Sequence, residues 1–207
     1  MLQPFDRVLE HYVWLERAFS PAECDRIIAQ GESRGLSPAH VSEAAVLPTA
    51  GGSQTSAEAS RPRRRTTARD ADLVFLDIEP ETHWIYERLG QVVDGANKRF
   101  WQFDLDSCEM AQFTRYGVGQ FHAWHMDLGV VGDERRRKLS LTVQLSDPDS
   151  YAGGDLEFMG PDKAVAASRQ RGAVALFPTY MFHRVTPIER GVRYSLACWA
   201  FGPAPLI

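Results

Sequence analysis

"LFPTYMFHRVTPIERGVRYSLACW", residues 176–199, decides how the fold is read. Its apolar and β-branched runs are punctuated by Pro187 and by Glu189-Arg190-Gly191, a turn signal between two strands. A hairpin centred near residue 188 sets residue 193 opposite residue 183. Directly opposite residues of an antiparallel pair share a face, with Cβ atoms about 5 Å apart. The two residues are His183 and Arg193. A guanidinium beside an imidazole is a poor choice for core packing. It suits a site in which a carboxylate ligand lies between them, because the guanidinium fork holds a carboxylate at two points.

Outward from this stretch the same texture continues. "WQFDL", "EMAQFTRY", "FHAWHMD", "KLSLTVQLS", "GGDLEFM", "GAVALFP", "FHRVTPI" and "RYSLACWAF" follow one another from residue 101 onward. Each is short, rich in aromatic and β-branched residues, and bounded by Gly, Pro, Asp or Ser. Eight such runs predict an antiparallel jelly roll of two four-stranded sheets. The earlier chain reads differently. Ser20, Pro21 and Glu23 form a capping box that starts a helix, and Gly35 ends it. Residues 70–78 read as a strand. Residues 80–100 read as a helix, with Trp84, Ile85, Leu89, Val92, Val93 and Ala96 at spacings of three and four. The expected class is α+β: a double-stranded β-helix (jelly roll) core with the N-terminal helices packed on one sheet. One domain, 1–207, comprises helical support over 1–100 with a flexible loop at 37–66, and a β core over 101–202.

Composition narrows the possible roles. The chain has 207 residues, 44 % apolar and 24 % charged, an ordinary globular balance. A formal net charge of −4 argues against a general nucleic-acid binder. Cys24, Cys108 and Cys198 are widely spaced and odd in number, which reads as small free thiols in a reducing cytosol rather than a disulfide framework. No run reaches the roughly 18 apolar residues of a membrane span, and the first residues lack the order of a signal peptide. The expectation is a soluble cytoplasmic protein with no nucleic-acid or membrane partner; its oligomeric state is left open. "RPRRR" at 61–65 is either a solvated charge run or a positive rim beside the loop that recruits an acidic substrate.

The chemistry concentrates in "FHAWHMDLGV", residues 121–130. Strand side chains alternate with period two, so His125 and Asp127 share a face and His122, three residues from His125, faces the other way. Two imidazoles and one carboxylate on one face of a metal form the facial triad of non-haem Fe(II) oxygenases. The second histidine must come from His11, His40, His83, His122 or His183. Only His122 and His183 lie in the β-rich half, and His122 fails on direction. His183 completes the set.

"YGVGQFHAWHMD", "YAGGDLEF" and the stretch at 176–199 resemble the catalytic core of the 2-oxoglutarate- and Fe(II)-dependent dioxygenases, in particular the prolyl-4-hydroxylase-like branch with its PKHD-type hydroxylases. The resemblance covers roughly residues 70–202 and rests on Y-x-x-G, H-x-D, G-G-D and a histidine followed ten residues later by arginine. It implies that His125, Asp127 and His183 ligate Fe(II) and that Arg193 pairs with the distal carboxylate of 2-oxoglutarate. Tyr116 would line the cosubstrate pocket. Gln144 stands where some members place a tyrosine that assists the arginine, and an amide can donate the same bond. Gln112 and Trp199 are either pocket walls or core packing, Gly153-Gly154-Asp155 is a turn, and Phe121, Phe177 and Phe182 are ordinary core or, alternatively, a seal on the cavity. The implied cofactors are Fe(2+), 2-oxoglutarate and O2, with ascorbate as a candidate addition. The implied reaction is hydroxylation of an unactivated C–H bond, since halogenating relatives carry a small residue in place of Asp127. The implied substrate is a prolyl residue of a peptide or protein; the alternatives are a free amino acid or another small metabolite. From other classes come a zinc hydrolase, against which Arg193 argues, and a non-catalytic metal-binding or oxygen-sensing jelly roll.

Overall fold

The computed structural model describes residues 10–39, 68–130 and 132–203. Of the expected loop at 37–66 only Ser37–Ala39 are described; His40 and the basic run at 61–65 lie outside the described residues. The elements in chain order are β1 (Val13–Leu15), α1 (Pro21–Ser33), β2 (Ser37–Pro38), β3 (Arg69–Asp70), β4 (Asp72–Leu76), α2 (His83–Phe100), β5 (Ser107–Cys108), β6 (Ala111–Tyr116), β7 (Phe121–His125) and β8 (Arg137–Gln144). They continue with β9 (Ala152–Gly153), β10 (Leu156–Phe158), β11 (Val165–Ala166), β12 (Val174–Pro178), β13 (His183–Val185), β14 (Ile188–Arg190) and β15 (Arg193–Phe201).

These strands build a major sheet in the order β1-β12-β8-β15-β6-β4-β2, with β5 attached to β15, and a minor sheet in the order β11-β10-β13-β7-β3. A third pair joins β14 to β9, and the ladders are antiparallel. The inner faces of the two sheets meet through Tyr116, Phe158, Phe177 and Val185. The jelly-roll expectation holds, with larger sheets than four and four. They also draw on strands before residue 101, because β1 and β4 complete hydrogen-bonding rows that β12 and β6 would otherwise leave open.

The expected hairpin about residue 188 does not form. β13 pairs with β7 and β10 in the minor sheet, whereas β15 pairs with β6 and β8 in the major sheet. The residues between, Ile188–Arg190, take β9 as their own partner. Pro187 and Gly191 (φ 76°) therefore mark two corners of a crossing between sheets, not the two shoulders of one turn. His183 and Arg193 still face one cavity, but from opposite walls.

The helices cover the outer face of the major sheet. Glu23 N–H donates to Ser20 Oγ (3.2 Å) and Ser20 N–H donates to Glu23 Oε2 (2.7 Å), which closes the capping box at the start of α1. Gly31 lets this helix sit on the sheet: a Cβ there would lie 2.2 Å from the Phe113 ring. α2 starts at His83 rather than 80, after a turn in which Glu79 N–H donates to Thr82 Oγ1 (2.9 Å). Ile85, Leu89 and Val93 then join Phe113, Leu139, Leu141, Val143 and Leu196 in the core. Each large side chain buried there contributes about 1.5–3 kcal/mol. Among the described residues no helix is long and apolar enough to cross a membrane.

Candidate active site

The inner face of the major sheet is polar. Gln112, Thr114 and Tyr116 project from β6, Arg193, Ser195, Ala197 and Trp199 from β15, and Thr142 from β8, into one cavity of about 670 Å³. Ser140 and Gln144 lie on the same face of β8 by the alternation of the strand. The minor sheet supplies the opposite wall through His122, His125, His183 and Val185.

His125 of β7 stands directly opposite His183 of β13, so two imidazoles are neighbours across one ladder. Asp127 follows the end of β7. Its N–H and that of Leu128 both donate to the Thr179 carbonyl at 3.0 Å, and Arg137 Nη1 donates to the Asp127 carbonyl at 2.9 Å. The carboxylate is thus turned inward. Its Oδ1 lies 3.4 Å from His125 Nε2 and its Oδ2 lies 3.5 Å from His183 Nε2, while Ser140 Oγ donates to Oδ2 at 2.7 Å. One ligand atom from each of the three residues lies within 4.8 Å of the others.

The donor set fits a metal ion. Nδ1 of His125 bonds the Ala123 carbonyl and Nδ1 of His183 bonds the Met181 carbonyl, each at 2.9 Å. A carbonyl can only accept, so the proton of each neutral ring sits on Nδ1 and the Nε2 lone pairs point at the carboxylate. With both rings in this neutral form, two imidazole lone pairs and a carboxylate oxygen converge, which a cation resolves. Burial by itself raises the Asp127 pKa, but positive charge facing it, which in the metal-free protein is that of His183 and His125 when protonated, together with the bond from Ser140, outweighs it and holds the carboxyl well below its usual range. Burial lowers the His183 pKa. Both shifts favour the forms a metal requires, an ionised carboxylate and a neutral imidazole.

His122 does not point away. Four residues of β7, from His122 to His125, span what three residues span on β13, from Val185 to His183. This bulge adds one residue and inverts the alternation. The His122 ring consequently stacks on His125 with centroids 3.5 Å apart and lines the cavity. Burial, with the nearby His125 and Arg69, drives its pKa far below the ordinary value.

Arg193 is 1 % exposed, and its Cα partner across the ladder is Tyr116, whose ring centroid lies 5.5 Å from the guanidinium carbon. Nη2 donates to Gln144 Oε1 at 2.9 Å and Nη1 to Ser195 Oγ at 3.4 Å, and Nε has no hydrogen-bond partner. Among the described residues no carboxylate pairs with this cation. A buried charge without a counter-ion is costly, so this end of the cavity is built for an anion. Because Gln144 turns its oxygen to Arg193, its amide N–H groups remain as donors. Gly154 makes room for the arginine stem: a Cβ there would lie 2.3 Å from Ile188 Cδ1 and 3.1 Å from Arg193 Cδ. Gly153 and Gly154 both have positive φ (69° and 66°), as a turn requires.

Six residues along β15, about 20 Å, Trp199 lines the other end of the cavity, as does Gln112. There Arg137 stacks over Trp199 at 4.4 Å and is gripped by Glu109 through Nε (2.7 Å) and Nη2 (2.8 Å). Burial raises the Glu109 pKa against the pull of Arg137. Phe177 is buried with its ring centroid 4.6 Å from His183, whereas Phe182 is 41 % exposed and does not seal the cavity. The site groups that sequence reading missed are His122, Ser140, Ser195 and the Glu109–Arg137 clamp. A signal for Ser140 exists: "KLSLTVQLS" alternates polar and apolar at every step, and most of its polar face is buried.

Comparison with known proteins agrees with this geometry. Residues 111–201 match the 2OG-Fe(II) oxygenase superfamily. A PKHD-type hydroxylase of Maricaulis maris is 38 % identical over 86 residues, covering 42 % of this chain and 39 % of the relative. A PKHD-type hydroxylase of Synechococcus elongatus is 38 % identical over 90 residues, covering 42 % and 40 %. The chain thus spans about two fifths of the length of the curated relatives it matches. A Pseudomonas putida prolyl-4-hydroxylase structure shares the fold with a TM-score of 0.67 at 18 % identity, covering 94 % of both chains. Most of the strands that build the cavity lie within the segment, residues 111–201, that is similar to the 2OG-Fe(II) oxygenase superfamily.

Proposed function

We propose that this protein is an Fe(II)- and 2-oxoglutarate-dependent hydroxylase acting, in prolyl-4-hydroxylase-like fashion, on a prolyl residue of a peptide or protein. The observation that carries the reading is the buried Arg193, with no counter-ion among the described residues, in the same cavity as the His125–Asp127–His183 set. A zinc hydrolase has no use for such a cation. Bound Fe(II) supplies the redox chemistry that couples oxidative decarboxylation of 2-oxoglutarate, to succinate and CO2, with hydroxylation of the substrate.

The residues of the chain have distinct tasks. His125, Asp127 and His183 would hold the Fe(II), each through one ligand atom. Ser140 and Arg137 hold Asp127 in place from its carboxylate and its carbonyl. Arg193 takes the far carboxylate of 2-oxoglutarate, with the Gln144 amide and Tyr116 beside it. The substrate enters at the other end, where Met126, Val130 and Phe75 line the cavity and remain substantially exposed. The names of the relatives and this apolar mouth support a peptide over a small polar metabolite. Succinate release, measured with Fe(II) and 2-oxoglutarate, tests the reading: proline-containing peptides should stimulate it and gain one oxygen atom, and free proline should not. Absence of succinate release from the iron-loaded protein under every condition would reject it.

A further inference from the structure

Two of the three cysteines are brought together from positions 90 residues apart. β5 is a two-residue strand, and its Cys108 stands opposite Ala200 of β15. Residues 198 and 200 share a face of β15, so Cys108 and Cys198 project from the same side of the sheet as diagonal neighbours. This is the helix-covered side, away from the cavity. Cys198 is 1 % exposed, and its Sγ lies 3.4 Å from the carbonyl oxygen of Glu109, the residue next to Cys108. Cys108 itself is exposed. An accessible thiol therefore stands in front of a buried one. Cys24 is buried on α1 and its Sγ faces the Gln144 carbonyl instead.

We infer that Cys108 and Cys198 are an oxidant-responsive dithiol: peroxide attacks at the exposed Cys108, and the buried Cys198 resolves it into a disulfide. The Cys108 thiolate attacks hydrogen peroxide; an S–O bond forms, the O–O bond breaks, and the departing hydroxide takes up a proton to leave as water. Cys198 then loses its proton and attacks the Cys108 sulfur; the S–S bond forms, the S–O bond breaks, and a second water leaves. Two thiols are oxidised by two electrons in all, and one peroxide is reduced to two waters. The neighbouring Cys198 lowers the Cys108 pKa to about 7, which favours the reactive thiolate. Diagonal Cα separations of about 7–8 Å exceed the usual disulfide span by about 1 Å. β5 is short enough, with two ladder pairs to one neighbour, to close that gap.

The test uses metal-free protein in chelator, so that no iron consumes the peroxide. After a few equivalents of hydrogen peroxide, denaturing alkylation and digestion without reduction, mass spectrometry should find one Cys108–Cys198 linked peptide pair. Two of the three thiols should be lost, Cys24 should be alkylated, the rate should not depend on protein concentration, and dithiothreitol should reverse the change. Cys108 carrying two or three added oxygens, or a covalent dimer through Cys108, with Cys198 still alkylated, would overturn the inference. Cys198→Ala should convert the product into those same species, and Cys24→Ser should leave the cross-link intact. If Cys198→Ala does not fold, the surface substitution Cys108→Ser serves: Cys198 must then keep its thiol under peroxide, and its oxidation would equally overturn the inference.

Discussion

The three central strands of the major sheet carry different interiors on their two faces. Toward the helices, β6, β15 and β8 present Phe113, Leu196, Leu139, Leu141 and Val143. Toward the minor sheet the same strands present Gln112, Thr114, Arg193, Ser195, Ser140 and Gln144. Burial does not separate them, since Ser140 is as buried as Leu141 at 1 % exposure. Chemistry does. The apolar face stabilises the fold by itself through hydrophobic burial. The polar face holds a cation with no carboxylate partner among the described residues and a cluster of lone pairs, which the proposed function assigns to a bound anion and a bound metal. One face is a core, and the other is the floor of a site.

Substitutions on the two faces should therefore separate stability from binding. The largest effect is expected from Asp127→Ala, which removes metal binding and turnover altogether while the protein still folds; metal content and succinate release check this. On the opposite face, Leu141→Ala should cost about 2–5 kcal/mol in a denaturant titration and leave the 2-oxoglutarate KM of the folded protein unchanged. Arg193→Leu should do the reverse. It should raise that KM about 10–100-fold, and the melting temperature of the ligand-free protein should not fall, because an uncompensated buried charge is gone. Ser140→Ala removes one bond to a metal ligand and should weaken metal affinity about 10-fold, read by competition with a chelator.

The smallest effect is a pH slope confined to the metal-free protein. His122 and His183 are held below the ordinary value of 6.5, so below that pH the unfolded chain binds more protons than the folded one. Stability should fall as pH drops from about 6.5, by at most about 1.4 kcal/mol per pH unit for each group. His122→Phe should flatten the slope in melts recorded from pH 7.5 to 5. An unchanged slope would mean that this ring is not held neutral.

Much of this was legible from local pattern. The capping box of α1, the stripe of α2 and the strand runs follow from periodicities of 3.6 and 2, which each segment carries within itself. The pairing of His125 with Asp127 was legible for the same reason. What escaped the sequence depends on partners far along the chain. The bulge that turns His122 inward exists only because β13 pairs with β7 in that register. The crossing at Ile188–Arg190 looked like a hairpin because Pro187 and Gly191 signal turns without saying which sheet the chain enters next. The polar floor was hidden because alternating Ser-Leu-Thr-Val-Gln reads equally well as a strand with one face in water.

The metal triad and Arg193 should act as one site. Anaerobic calorimetric titration of 2-oxoglutarate into the Fe(II)-loaded protein tests it most directly. One site per chain is expected, which requires the metal, weakens strongly in Arg193→Leu and vanishes in Asp127→Ala. Equal binding with and without metal, or binding unaffected by Arg193→Leu, would contradict it.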